Sequence, residues 1–164
     1  DTIFTKNILT NDDLYVPFGD VANKQALILA KYLSGQDASW KGALKSFATS
    51  FYDIKIAQTG LSLEEAKKHG FNAEKLEMKA MAKNSGFEDS KPNKVEIVYD
   101  KDKKVLLGGT IIGYEAVAQF IDQIAIVITF NIPIEKFIDI DFAYSPTNAS
   151  VWNPLLVTYR KIIK

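Results

Sequence analysis

The sequence predicts an α+β domain, with a mainly antiparallel sheet of about four to five strands covered by helices. Two runs rich in Val, Ile and Tyr, residues 94–99 and 104–112, flank Asp100-Lys-Asp-Lys103, which is the pattern of a β-hairpin. Residues 115–130 carry apolar side chains at helical spacing. Along the chain the order is helix, strands, helix, hairpin, then helices, rather than the strict alternation of a parallel sheet.

Residues 1–19 read as an irregular lead-in, with turn formers at Asn11-Asp12-Asp13 and a break at Pro17. Asp20 is placed to cap a helix over 21–33, which stops near Gly35. Lys24 and Lys31 among its apolar residues turn one side to water. The loop that follows holds Gly35, Asp37 and Gly42, and Trp40 anchors it to a core. Residues 46–51 and 54–59 read as short strands. Ser62 and Glu65 have capping-box spacing for a short helix to His69, ended by Gly70. Residues 74–82 alternate, with Leu76, Met78, Ala80 and Ala82 on one face, and a polar loop spans 86–92. Gly108-Gly109 inside the second hairpin strand marks a bulge or a close backbone approach. The 115–130 helix has Val117, Phe120, Ile121, Ile124, Ala125 and Ile128 on one face, widened by Ile126 and Val127. Such breadth asks for a sheet on one side and a partner subunit on the other. Pro133 opens a short helix through Ile138, Tyr144-Ser-Pro-Thr147 breaks the pattern, and Pro154 starts the last helix.

Apolar residues make up 47% and charged residues 24%, so a single packed core is affordable and disorder throughout is excluded. Twenty Lys and Arg balance twenty Asp and Glu, so no net field draws the chain to nucleic acid or an anionic membrane. The absence of cysteine excludes disulfides, thiolate metal sites and a cysteine nucleophile. The longest apolar run, 124–130, is too short to span a bilayer. Residues 1–10 lack the basic flank and apolar stretch of a signal peptide, and the start at Asp1 is expected to be a cut within a longer protein.

Four segments, in order, resemble the C-terminal part of the coenzyme A-disulfide reductase and NADH oxidase group of pyridine nucleotide-disulfide oxidoreductases. They are Val16-Pro-Phe-Gly-Asp-Val-Ala-Asn-Lys-Gln25, Ser50-Phe-Tyr-Asp-Ile-Lys-Ile-Ala-Gln-Thr-Gly-Leu61, Leu107-Gly-Gly-Thr-Ile-Ile-Gly113 and Asp141-Phe-Ala-Tyr-Ser-Pro146. The first is similar to the segment closing the family's flavin domain, where a helix N-terminus faces the flavin and its free N–H groups favour negative charge. The last is similar to an Ala-Tyr-x-Pro turn that reaches the partner subunit's active site. The resemblance implies that residues 1–35 are the tail of the flavin domain and 36–164 the interface domain. It implies a cytoplasmic homodimer whose full chain carries FAD and NAD(P)H and reduces a small disulfide or oxygen. The Gly-rich nucleotide fingerprints and the redox cysteine would lie upstream of Asp1, so this stretch alone is expected to bind no cofactor and to transfer no electrons.

By the same resemblance Tyr144 is the catalytic candidate, donating to a sulfur anion or protonating a leaving thiolate. On its residues alone it is a turn tyrosine whose hydroxyl bonds nearby backbone. Flavin contacts are implied for Asp1, Lys24 and Gln25, and for Phe142 and Ala143 toward the partner's flavin. Relatives often carry a tyrosine-bearing Tyr-Tyr-Pro-Gly-like loop near 83–90. This chain has Asn84-Ser-Gly-Phe-Glu-Asp-Ser-Lys-Pro92, where Phe87 has no proton to offer, so coenzyme A disulfide is in question as substrate. His69 reads as a solvated helix end, and Asp139 and Asp141 as hydrated helix terminators. One His and no Cys make no transition-metal site. Two other classes remain: a free-standing dimeric binding or scaffold module that keeps the fold without redox chemistry, and a hydrolase or transferase using the aspartates, for which no motif speaks.

Overall fold

A computed structural model describes residues 3–163. The chain divides into two compact units between Lys45 and Ser46.

In the first unit the lead-in is more ordered than its sequence suggests. Thr5–Lys6 (β1) and Asp13–Leu14 (β2) pair antiparallel. Asn7 stabilises the intervening turn by accepting from the Leu9 amide at 2.8 Å, and Asn11 takes a left-handed φ of 60°. Helix α1 covers Gly19–Leu33. It begins two residues earlier than expected: Phe18 sits at the N-cap without a side-chain cap, while Asp20 lies inside the first turn and pairs with Lys24 at 3.1 Å. The 36–45 loop packs back on this unit, with the Ala43 amide donating to Lys6 O at 2.8 Å. Trp40 donates its indole N–H to Thr5 Oγ1 and packs on a small core of Val16, Val21 and Ala43.

The second unit is built on one five-stranded antiparallel sheet. Its strands are Phe47–Phe51 (β3), Ile54–Gly60 (β4), Ala73–Met81 (β5), Pro92–Asp100 (β6) and Val105–Gly113 (β7), in the order β3-β4-β7-β6-β5. Alternation sets the faces, because period-two side chains point to opposite sides. Along β5, Met78 and Ala80 are buried while Lys75, Glu77 and Lys79 are exposed. Helix α2 (Leu63–Lys68) carries the capping box read from sequence: the Ser62 side chain accepts from the Glu65 amide, and Glu65 accepts from the Ser62 amide.

Helix α3 (Val117–Thr129) lies on β4 and β7. It buries Val117, Phe120, Ile121, Ile124, Val127 and Ile128, and Ala57 on β4 and Ile111 on β7 are fully buried as well. Each such aliphatic side chain contributes roughly 1.5–3 kcal/mol. The glycine pair permits this packing. A Cβ on Gly109 would lie 3.0 Å from Ile124 Cδ1, and one on Gly108 only 2.1 Å from the Leu61 carbonyl oxygen. A bulge falls beside the pair on the same strand: Val98 pairs with Gly108 and Tyr99 with Leu106, which leaves Leu107 as the extra residue of β7.

The helix expected after Pro133 is a 3-10 helix, Ile134–Asp139, whose buried Ile134 and Phe137 leave it one inward face. It is tied to the sheet by the Ile134 amide donating to Lys104 O at 2.8 Å. Helix α4 (Pro154–Ile162) packs against it and is capped by Asn153, which accepts from the Leu155 amide at 2.9 Å. Among the described residues, no helix is long and apolar enough to cross a membrane.

Candidate functional site

Tyr144 lies between the 3-10 helix and α4, in a stretch without regular structure. A tight turn follows it: the Asn148 and Ala149 amides both donate to Ser145 O, at 3.0 and 2.8 Å. Ser145 and Ala149 form an antiparallel bridge across that turn. The Asn84 amide donates to Pro146 O at 3.0 Å, so the 83–91 loop is tied directly to the Tyr144 turn.

Together the two segments wall an open groove of about 400 Å³, lined on one side by Lys79, Lys83 and Ser85 and on the other by Tyr144, Ser150 and Trp152. The Tyr144 side chain is 55% exposed. Among the described residues, no side-chain hydrogen bond engages its hydroxyl. This is the condition a proton donor to an incoming group must meet. Arg160 lies over the Trp152 ring at 4.1 Å, placing a guanidinium behind the groove's aromatic wall.

Lys83 is the most enclosed charge at the site. It donates to Asp89 Oδ2 at 2.6 Å and lies 3.3 Å from Glu115 Oε1. The hydrogen bond to Asp89 holds its ammonium above the ordinary lysine range against the opposing effect of burial, with Glu115 adding to the rise. The same bond holds the Asp89 carboxyl below its usual value. Both shifts favour the ion pair at neutral pH.

Of the other described residues expected at the site, none is among those lining the groove. Phe142 is half-buried and Ala143 exposed, both beside Tyr144 in sequence. Lys24 is exposed and Gln25 half-buried on α1, in the first unit. Asp1 lies outside the described residues. Phe87 stands in the 83–91 loop and is partly exposed. Asp139 and Asp141 are exposed, and Asp139 pairs with Lys136 at 3.6 Å. Among the described residues, no three His, Cys, Asp or Glu side chains gather in a metal-holding group. Sequence reasoning missed Lys83 and Trp152. Neither sits in a periodic pattern, and only the fold brings β5 and the α4 approach to the same groove.

The chain belongs to the pyridine nucleotide-disulphide oxidoreductase family, whose dimerisation-domain model matches residues 46–155. One relative is the NAD(P)H sulfur oxidoreductase (CoA-dependent) of Pyrococcus furiosus, 29% identical over 160 residues, covering 98% of this chain and 36% of that protein. The fold is similar to that of an NAD-dependent persulfide reductase from A. fulgidus, with a TM-score of 0.94, 21% identity, and coverage of 99% of this chain and 30% of that one. It is also similar to reduced CoADR-RHD of Bacillus anthracis, with a TM-score of 0.93, 24% identity, and coverage of 99% and 29%. The chain therefore spans about a third of the length of these proteins. Nothing in these matches supports a free-standing binding module.

Proposed function

We propose that this chain is the dimerisation module of a FAD-dependent NAD(P)H oxidoreductase acting on a small disulfide or on oxygen, and that it lends Tyr144 to the active site of the partner subunit in a cytoplasmic homodimer. The observation that carries the proposal is Tyr144, exposed and lining a groove within the unit that the family model matches. In this reading Tyr144 donates a hydrogen bond to a sulfur anion, or a proton to a leaving thiolate, while Phe142 and Ala143 approach the partner's flavin.

Residues 1–35 are then the tail of the flavin domain, with Asp1, Lys24 and Gln25 on the flavin side. The N-terminus of α1 has no side-chain cap, which leaves first-turn amides free, and Asp20 is neutralised by Lys24. Such an end suits a ring that becomes electron-rich. FAD, if bound there, would supply the two-electron chemistry between NAD(P)H and the disulfide or oxygen. The residues of this chain orient and protonate.

The test is Tyr144→Phe in the flavoprotein that contains this chain. Disulfide turnover falls roughly 10²-fold, as for loss of a general acid, while flavin reduction by NAD(P)H keeps its rate. Unchanged disulfide turnover would refute the role of Tyr144.

A further inference from the structure

We propose that Lys83 is a positioning residue for Tyr144. It clamps the 83–91 loop between Asp89 and Glu115, and that loop holds the Tyr144 turn through the Asn84–Pro146 hydrogen bond. The inference rests on the reading of Tyr144 as the group lent to the active site.

The clamp has one fixed end and one movable end. Glu115 is fixed because its backbone is held by the sheet: Asn93, fully buried on β6, donates from Nδ2 to Glu115 O at 2.8 Å and accepts from the Tyr114 amide at 2.9 Å. Asp89 is movable. Its side chain is 75% exposed, and it belongs to a loop that is mostly polar apart from Phe87. Lys83 joins the two from a position where its own side chain is only 13% exposed. An ion pair between freely exposed side chains does little to order a chain, but an enclosed ammonium with two carboxylate partners holds a single geometry.

The adjacent residue passes that geometry on. Asn84 closes its own loop by accepting from the Gly86 amide at 2.8 Å, and its N–H donates to Pro146 O at 3.0 Å. Pro146 stands two residues beyond Tyr144, within the turn pinned at Ser145. Because the Lys83 ammonium is already engaged by two carboxylates, it acts through the loop and not on an incoming group. Lys79, on the same wall of the groove, makes no ion pair among the described residues, which leaves it as the contrasting control.

The experiment compares Lys83→Met, Lys83→Arg, Asp89→Asn and Lys79→Met in the full flavoprotein, by amide hydrogen exchange and by disulfide turnover. Lys83→Met should raise exchange in both 83–91 and 142–150 while leaving β6 and β7 protected. Lys83→Arg should restore protection, and Lys79→Met should leave both segments as they are. Should Lys83→Met unfold the sheet, Asp89→Asn makes the same comparison with the lysine retained. Unchanged exchange over 142–150 in both Lys83→Met and Asp89→Asn overturns the clamp. Turnover should fall roughly tenfold to 100-fold for Lys83→Met, as for a misplaced catalytic group, and no further when the change is made in Tyr144→Phe. An equal loss in the Tyr144→Phe background overturns the coupling to Tyr144. If Tyr144→Phe alone is silent, the reading of Tyr144 fails, and the exchange data still decide separately whether Lys83 holds the turn.

Discussion

Replacing Asn93 removes the polar bracket that joins the sheet to α3. Asn93 is 0% exposed and makes two hydrogen bonds to backbone, with the Tyr114 amide and the Glu115 carbonyl. Asn93→Leu keeps the branch at Cγ, with bulkier methyl groups, and orphans both backbone partners. A buried polar group left unsatisfied costs about 1–3 kcal/mol. Tyr114 and Glu115 are half-buried, so water partly reaches them, and the expected loss is about 2–4 kcal/mol rather than the full sum. For a chain of this size that lowers the melting temperature by about 5–15 °C. Urea unfolding should show a lower midpoint at an unchanged slope. Asn93→Asp adds a pH signature. One carboxyl oxygen would face Glu115 O, which only the protonated form can satisfy, so its folded pKa lies above the unfolded value of about 3.9. Stability is then greatest below that value and is lost as pH rises through the folded pKa. Asn93→Asp should resemble the native protein in acid and Asn93→Leu at neutral pH. A loss under about 0.5 kcal/mol for Asn93→Leu, no larger than for an ordinary surface change, would refute the reasoning.

Three further outcomes are expected. Ser62→Ala removes a complete capping box and should cost about 0.5–2 kcal/mol by urea unfolding, with Ser62→Thr close to native. Gly108→Ala forces a Cβ within 2.1 Å of the Leu61 carbonyl and should destabilise by more than about 2 kcal/mol in a thermal melt, whereas Gly70→Ala, with open space around it but φ at +79°, should cost less. Burial, helped by the hydrogen bond to Glu74, pushes the Tyr99 phenol up to about 12 from 10.0. Its folded pKa is raised, so its contribution is complete below pH 10 and fades between 10 and 12. Alkaline urea titration should show that loss, and Tyr99→Phe should remove it.

Local patterns were legible in the sequence wherever one segment decides its own structure. The Ser62–Glu65 box, the alternation along β5, the 94–112 hairpin and the apolar face of α3 each depend on neighbours within a few residues. Other features carry no such local pattern. The β1–β2 pair is too short for a periodic signal and is held by the turn at Asn7 and by contacts from the 36–45 loop. Helix α1 starts at Gly19 because Phe18 supplies the extended N-cap backbone, although Asp20 has the better capping chemistry. The segment after Pro133 tightens to 3-10 because Ile134 and Phe137 must both point inward over little more than one turn. Tyr144 stood out only through resemblance, and Lys83 did not stand out at all, since its partners come from a loop and from the residues just before α3. An isolated lysine in a polar stretch carries no mark of enclosure.

The strand order has a kinetic consequence. In β3-β4-β7-β6-β5, two blocks are local, the β3–β4 hairpin and the β5–β6–β7 meander, and they meet only along the β4–β7 seam. Closing that seam sets the chain ends of a long intervening segment side by side before the burial of α3 can reward it, which makes it the slow event in folding. Gly60 pairs with Gly108 at one end of the seam, where a Cβ on either would strike opposing backbone. These glycines thus govern how readily two preformed blocks dock. A slowed dock leaves the β4 and β7 edges open to another chain, so the same seam that completes this sheet is the place where misassembly between copies would begin.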